Sequence, residues 1–137
     1  MSGNCETDYI NPKNFGEENH STMKRVYNKE DLSLVQVLDE QNRIKKCLFY
    51  ENGKRLSNSC IYNVKTGKEV KNITYRADGK TISSVREFDY ETGRILKVVF
   101  YKKDGQSLSS VIEYDETGSE AKFSLYGDDG EITTMKI

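Results

Sequence analysis

The side chains of this sequence that could perform acid–base chemistry are carboxylates, and they recur at a fixed spacing. Glu87 and Asp89 form one pair, and Glu113 and Asp115 form a second pair 26 residues further along. Two carboxylates can supply the acid and the base of a glycoside hydrolase. Because the pairs repeat, we favour a structural role in which the aspartates begin turns and the glutamates lie on a solvated strand face. A carboxylate-based hydrolase is the least favoured alternative.

Other catalytic and metal-ligating groups are scarce in the sequence. The one histidine, His20, lies in a polar N-terminal segment, where we expect it to be exposed to solvent. Without a second histidine, neither a Ser-His-Asp nor a Cys-His arrangement can form farther along the chain. The glycines stand singly, as turns require, and are not clustered as in phosphate-binding loops. We therefore predict a protein that is not an enzyme, with no catalytic residue, no cofactor and no metal site.

Two of the three cysteines flank a turn signal at Asn52-Gly53. A tight hairpin there would place Cys47 and Cys60 on neighbouring strands in a diagonal relation, where a disulfide would be strained. Spacing typical of metal ligands is absent. We expect two buried free thiols.

Turn signals recur through the chain with a period near 26 residues. Asn-Gly or Asp-Gly pairs and Thr-Gly pairs alternate, and their glycines are Gly53, Gly67, Gly79, Gly93, Gly105, Gly118 and Gly130. Asn-Gly and Asp-Gly between β-prone runs favour tight hairpins, because those turns need positive φ. The Thr-Gly segments suit a type I turn followed by a glycine bulge. Residues 34–137 are therefore predicted to be all-β, an antiparallel meander of tandem hairpin repeats with about nine strands.

The apolar pattern predicts which side chains share a face of this sheet. With a tight turn at Asp104-Gly105, Tyr101 lies opposite Leu108 and shares its face with Ile112, whereas Val111 lies on the other face. Both faces of the C-terminal half are then apolar, although an antiparallel sheet with one wet face should alternate cleanly. We expect a covering layer, supplied by the sheet curling into a half-barrel, by the N-terminal segment, or by a second copy in a homodimer.

An aromatic residue ends the strand before each Asn-Gly or Asp-Gly turn, and these residues should form a column. The four are Tyr50, Tyr75, Tyr101 and Tyr126. Tyrosine is enriched at protein interfaces, so the column is the candidate binding site for a protein partner. A column buried as core is an equally favoured interpretation. A surface carbohydrate-binding module, in which the rings stack on sugars, is an alternative that the absence of tryptophan disfavours.

Charge and composition bound the partners and the organisation of the chain. The 21 basic and 22 acidic residues leave no basic excess for nucleic acid. No apolar run reaches membrane length and the N-terminus does not resemble a signal peptide, so we expect no membrane partner. The chain is expected to be cytoplasmic as written, or secreted if a leader was removed. Residues 1–33 are predicted to be a polar tail or a cap, and a short helix is considered over residues 21–28.

The repeated region resembles a repeat family of unknown function found mostly in phytoplasmas. The matching stretches are Asp78-Gly79-Lys80-Thr81-Ile82, Val85-Arg86-Glu87-Phe88-Asp89, Thr92-Gly93-Arg94, and Asp104-Gly105 through Tyr114-Asp115-Glu116-Thr117-Gly118. More distantly it is similar to the YD repeats of bacterial toxins and to the MORN-like repeats of toxin-antidote modules. These resemblances imply a bacterial or mobile-element origin and an interaction role of the effector, immunity or defence-inhibitor type. They carry over no catalytic residue.

Overall fold

One antiparallel sheet accounts for all the strands of the computed structural model, which describes residues 5–10, 22–27 and 33–137. The strands follow one another in the sheet in sequence order. They are β1 (Cys5–Ile10), β2 (Thr22–Tyr27), β3 (Leu34–Leu38), β4 (Ile44–Glu51), β5 (Arg55–Tyr62), β6 (Glu69–Tyr75), β7 (Ile82–Phe88), β8 (Ile95–Tyr101), β9 (Leu108–Tyr114), β10 (Glu120–Tyr126) and β11 (Ile132–Lys136). The predicted all-β meander is confirmed, because the nine strands β3–β11 fall within residues 34–137. Among the described residues β1 and β11 do not pair with each other, so the sheet does not close into a barrel.

The N-terminal part of the sheet corrects one expectation and leaves others as predictions. Residues 22–27 form strand β2, which pairs with β3 along its whole length, so the helix considered there is wrong. A strand satisfies the free backbone groups along the edge of β3, which a helix would leave unpaired. His20 lies outside the described residues, and so do 1–4, 11–21 and 28–32, so the tail or cap stays a prediction. In the described ranges, no helix is long and apolar enough to cross a membrane.

The turns lie where the sequence predicts them, but the Asn-Gly and Asp-Gly turns differ in backbone conformation. Asn52 and Gly53 both have positive φ, 54° and 70°, and Lys54 donates its backbone N–H to the carbonyl of Glu51. Because Glu51 pairs with Arg55, the loop between β4 and β5 has three residues. At the Asp-Gly turns only the glycine has positive φ. Asp104 instead accepts two backbone N–H groups of its own loop, at 2.8 Å each, and the pKa of its carboxyl falls to about 2 because Ser107 also donates its hydroxyl. These loops are longer than the tight turns that we predicted.

A β-bulge in each strand pairing from β3–β4 to β9–β10 reverses part of the predicted distribution of side chains. Tyr101 lies opposite Leu108 as expected, but Phe100 lies opposite Ser110. Ser109, between Leu108 and Ser110, is therefore an extra residue on β9. Val111 therefore shares the face of Tyr101, and Ile112 shares the face of Phe100, contrary to the expectation. The error comes from assuming a tight turn without a bulge, because a slip of one residue moves every following side chain to the other face.

The register defines two faces of the sheet and a buried row on one of them. We call the side that bears Tyr101 the tyrosine face and the side that bears Cys47 the cysteine face. Residues that lie directly opposite one another form a central row along the tyrosine face: Val35, Leu48, Ser59, Ile73, Val85, Val99, Val111 and Ser124. Six of the eight are buried, at 8 % exposure or less. Much of the buried core of the sheet therefore lies in this one row.

Basic side chains tie each repeat to the next one. Arg55 donates to the carbonyl of Ala77 at 3.3 Å, and Lys68 donates to the carbonyl of Thr92 at 3.1 Å. Both acceptors lie in a turn of the following repeat. These bonds satisfy loop carbonyls and fix the stacking of successive turns at both ends of the strands.

Candidate binding surface

The four predicted tyrosines lie in one row on the tyrosine face. Each stands directly opposite an aliphatic residue across the following turn, and the pairs are Tyr50–Leu56, Tyr75–Ile82, Tyr101–Leu108 and Tyr126–Ile132. The row therefore alternates aromatic and aliphatic side chains over eight consecutive strands, β4 to β11. We call it the tyrosine row. Its existence was predicted from the sequence, whereas its role in binding remains a prediction.

The tyrosines are half-buried, so each can pack on the core with one part of its ring and offer the other part to a partner. The hydroxyl of Tyr75 lies 3.0 Å from Oγ of Ser59, a buried member of the central row. Burial, together with the neighbouring Tyr75, raises the pKa of the Tyr50 hydroxyl. One side of each ring thus covers the central row, while the other side remains accessible to solvent.

A shallow cleft of about 850 Å³ opens at the C-terminal end of the row and is lined by Tyr101 and Tyr126. Arg76 borders it and donates from Nη2 to the carbonyl of Tyr101 at 2.8 Å. Its Nε is buried and has no hydrogen-bond partner among the described residues. Lys102 also lines the cleft, and its Nζ lies 2.8 Å from a carboxylate oxygen of Asp128. The cleft combines two aromatic rings with fixed charges of both signs.

The recurring carboxylates hold strands and turns in place. Glu87 pairs with Lys97 on the adjacent strand at 3.8 Å, and Glu113 pairs with Lys122 at 3.3 Å. Asp89 accepts the backbone N–H of Thr92 at 2.8 Å, which lowers the pKa of its carboxyl. Carboxylates that are committed to pairs and turns in this way support the structural role predicted for them.

The two central cysteines form a second polar cluster, on the cysteine face. Cys47 and Cys60 lie directly opposite each other and not diagonally, because a bulge at Ser57 shifts the register. Both are buried and free, as expected. Burial, followed by a hydrogen bond that the thiol donates to the carboxylate of Glu69, raises the pKa of the Cys60 thiol from 9.0 to about 12. A neutral buried thiol is a poor nucleophile and a poor metal ligand.

Sequence reasoning missed the partners of these thiols. The Tyr62 hydroxyl is hydrogen-bonded to both sulfurs, and Asn72 donates to Sγ of Cys60 at 3.3 Å. Tyr62 also lines a cavity of about 570 Å³ next to the cluster, together with Phe49. The position two residues after Cys60 was a signal for Tyr62, since alternate residues of a strand share a face. No group of three or more acidic, histidine or cysteine residues placed to hold a metal ion occurs in the described ranges.

A family profile matches the repeated region twice. The family is described as a protein of unknown function, DUF2963, and the matches cover residues 49–97 and 75–125. Together they span more than half of the chain. This chain belongs to the DUF2963 family. The DUF2963 profile carries no functional description, so the phytoplasma-type repeat remains a resemblance. No curated protein sequence matches the chain.

Solved structures of other proteins match part of this DUF2963 protein. A structure of the GtfA/B complex bound to UDP and GlcNAc matches 76 % of the chain with a TM-score of 0.57 and 13 % identity. A structure of a TarM variant of S. aureus with fondaparinux, alpha-GlcNAc-glycerol and UDP matches 75 % with a TM-score of 0.48 and 12 % identity. The matched region covers only 22 % and 21 % of those chains. At 13 % identity, the likeness to the GtfA/B structure shows the fold alone.

Proposed function

We propose that this protein is a non-catalytic interaction module that binds a protein partner on the tyrosine row. The observation that carries the proposal is the row itself. It places an aromatic–aliphatic pair at each of the four Asn-Gly or Asp-Gly turns, and its tyrosines are half-exposed instead of being covered by a second layer among the described residues.

The physical chemistry of the row suits a protein surface. A tyrosine whose inner edge is packed has already lost most of its rotational freedom, so binding costs little further entropy. Its exposed ring offers a large apolar area and its hydroxyl offers a hydrogen bond, the combination enriched at interface hot spots.

The cleft between Tyr101 and Tyr126 adds charge to this surface. Its lining includes the basic residues Arg76 and Lys103 and the acidic residues Asp104 and Asp128. Charges of both signs around an aromatic centre resemble the polar rim of a protein interface. We propose that this end of the row sets the orientation of the partner. The partner is to be sought in bacteria or their hosts, in keeping with an effector, immunity or defence-inhibitor role.

The proposal is tested by affinity capture from bacterial and host extracts with three variants of the full chain. Tyr101→Ser and Tyr126→Ser remove the rings on either side of the cleft. Phe100→Ser is the matched control, since Phe100 neighbours Tyr101 on the same strand but projects from the cysteine face at 37 % exposure. Circular dichroism and thermal unfolding establish that each variant is folded.

We expect a stoichiometric protein to be captured by the wild type and by Phe100→Ser, and to be lost with both tyrosine variants. Each lost ring should weaken binding by roughly tenfold or more, as hot-spot truncations do. Capture that is unchanged in both folded tyrosine variants would contradict the proposal. Binding to a glycan array that depends on the same tyrosines would instead favour a carbohydrate-binding module.

A further inference from the structure

Strand β11 is an edge of the sheet with unusual exposure. All five of its residues are exposed, and Ile132 and Met135 are 57 % and 50 % accessible. In the described residues β11 pairs only with β10. Natural edge strands are commonly protected by proline, bulges or inward-pointing charges. The sequence Ile-Thr-Thr-Met-Lys has no proline or glycine, and its single charge is Lys136.

The direction of the free backbone groups follows from one hydrogen bond. The N–H of Ile137 donates to the carbonyl of Ala121 at 2.9 Å, so residue 137 directs its backbone groups toward β10. Backbone groups alternate along a strand, so Met135 and Thr133 also face β10. Ile132, Thr134 and Lys136 therefore direct both their N–H and their carbonyl groups away from the sheet.

The outward N–H and carbonyl groups of one β11 can pair with those of β11 in a second copy of the chain. If two copies of β11 pair antiparallel about a two-fold axis at Thr134, Ile132 of each copy lies opposite Lys136 of the other. Thr134 then lies opposite its own symmetry mate. All three of these positions are hydrogen-bonded positions of an antiparallel ladder, which gives two bonds for each of three pairs, six in all. In this register every outward N–H and carbonyl of the strand gains a partner.

The side chains fit the same register. Lys136 meets Ile132 and not a second lysine, so no like charges are directly opposed. On the cysteine face Thr133 lies opposite Met135 of the other copy, and the two Met135 side chains are diagonal neighbours. The contact would join their exposed apolar area to that of Leu125, which is 44 % exposed beside them.

We propose that β11 is a homotypic interaction surface, through which two copies of this chain join their sheets about a two-fold axis at Thr134. The contact involves one short strand from each copy and so falls below the size of a stable standard interface. The dimer is accordingly weak and concentration-dependent. It involves Ile132 at the end of the tyrosine row but leaves the four tyrosines exposed, so the two copies present two rows to a partner.

Sedimentation velocity of the full chain from about 1 µM to about 1 mM measures this association, a range that covers weak affinities. Thr134→Pro removes an outward N–H, and so two of the six proposed bonds, without removing a backbone bond to β10. It also removes the contact of 3.3 Å between Oγ1 of Thr134 and Oγ of Ser124 on β10. We expect the dissociation constant to rise by roughly tenfold or more. Phe100→Ser and Tyr101→Ser, which change the two sheet faces and not the edge, should leave the dimer unchanged.

Cross-linking gives a second test that does not depend on the folding of the proline variant. Opposed hydrogen-bonded positions have Cα atoms about 5.5 Å apart, which a disulfide can span. Under mild oxidation Thr134→Cys should link two copies, identified as a 134–134 peptide by mass spectrometry, whereas Thr117→Cys in an exposed turn should not. A monomer over the whole concentration range would overturn the proposal. So would a dimer that Thr134→Pro leaves intact and Phe100→Ser abolishes, since that dimer would be joined by its faces.

Discussion

Replacement of Gly105 by alanine tests how successive repeats pack on each other. Gly105 has a φ of +72°, in the left-handed region that side chains disfavour. A Cβ added there would lie 2.7 Å from Cγ2 of Thr81 and 3.2 Å from the backbone nitrogen of Ile82. Both contacts belong to the preceding repeat, so this turn rests directly on the strand that follows the earlier Asp-Gly turn.

The expected destabilisation has two parts, and the chain offers a site at which only one of them acts. Left-handed backbone costs an alanine about 1–2 kcal/mol. Overpacking against a neighbouring strand adds about 1–3 kcal/mol. Gly118 has a φ of +85° with nothing within 4 Å of an added Cβ. Gly118→Ala should therefore be destabilised by the left-handed backbone alone. We expect Gly105→Ala to lower the free energy of unfolding by at least about 1 kcal/mol more than Gly118→Ala does.

Equilibrium unfolding in urea measures both variants, and Thr81→Ser identifies the clashing atom. Serine removes Cγ2, the atom of the 2.7 Å contact, and keeps the hydroxyl that Thr81 donates to Asp78. Gly105→Ala should therefore cost less in the Thr81→Ser background than in the wild type, because coupled sites are not additive. Equal destabilisation by Gly105→Ala and Gly118→Ala would refute the close stacking of these turns, and so would perfect additivity with Thr81→Ser.

Two further outcomes follow from buried polar groups. The raised pKa of Cys60, from 9.0 to about 12, means that the folded state favours the neutral thiol, so stability should be retained below about pH 9 and lost as the pH rises toward 12. The urea midpoint of the wild type should accordingly fall more steeply between about pH 9 and pH 11 than that of Cys60→Ser, and parallel curves would contradict this. Asn63 is 3 % exposed, accepts the N–H of Lys65 at 2.9 Å and donates from Nδ2 to the carbonyl of Tyr90 at 2.7 Å. Asn63→Asp keeps the acceptor and removes the donor, so it should lower the free energy of unfolding by about 1–3 kcal/mol, and an unchanged urea midpoint would count against this bond.

Much of the fold follows from local chemistry that the sequence displays directly. Positive φ at Gly53, Gly67, Gly79 and the later turn glycines is a property of a few neighbouring residues, so the turns and the strands between them could be predicted. The opposition of each tyrosine and the aliphatic residue after its turn also follows from this local spacing. The tyrosine row was therefore visible in the sequence, although what binds to it was not.

Tertiary structure decided the properties that depend on strand pairing. Whether Val111 or Ile112 shares the face of Tyr101 depends on one extra residue in a bulge, and turn residues alone do not specify a bulge. The same effect placed Cys47 directly opposite Cys60, and so created the cluster with Tyr62. The alternation of backbone groups along β11 likewise requires its register with β10. Local sequence selects the turn, but the face and the free edge are set by the partner strand, whose pairing is a long-range property of the folded chain.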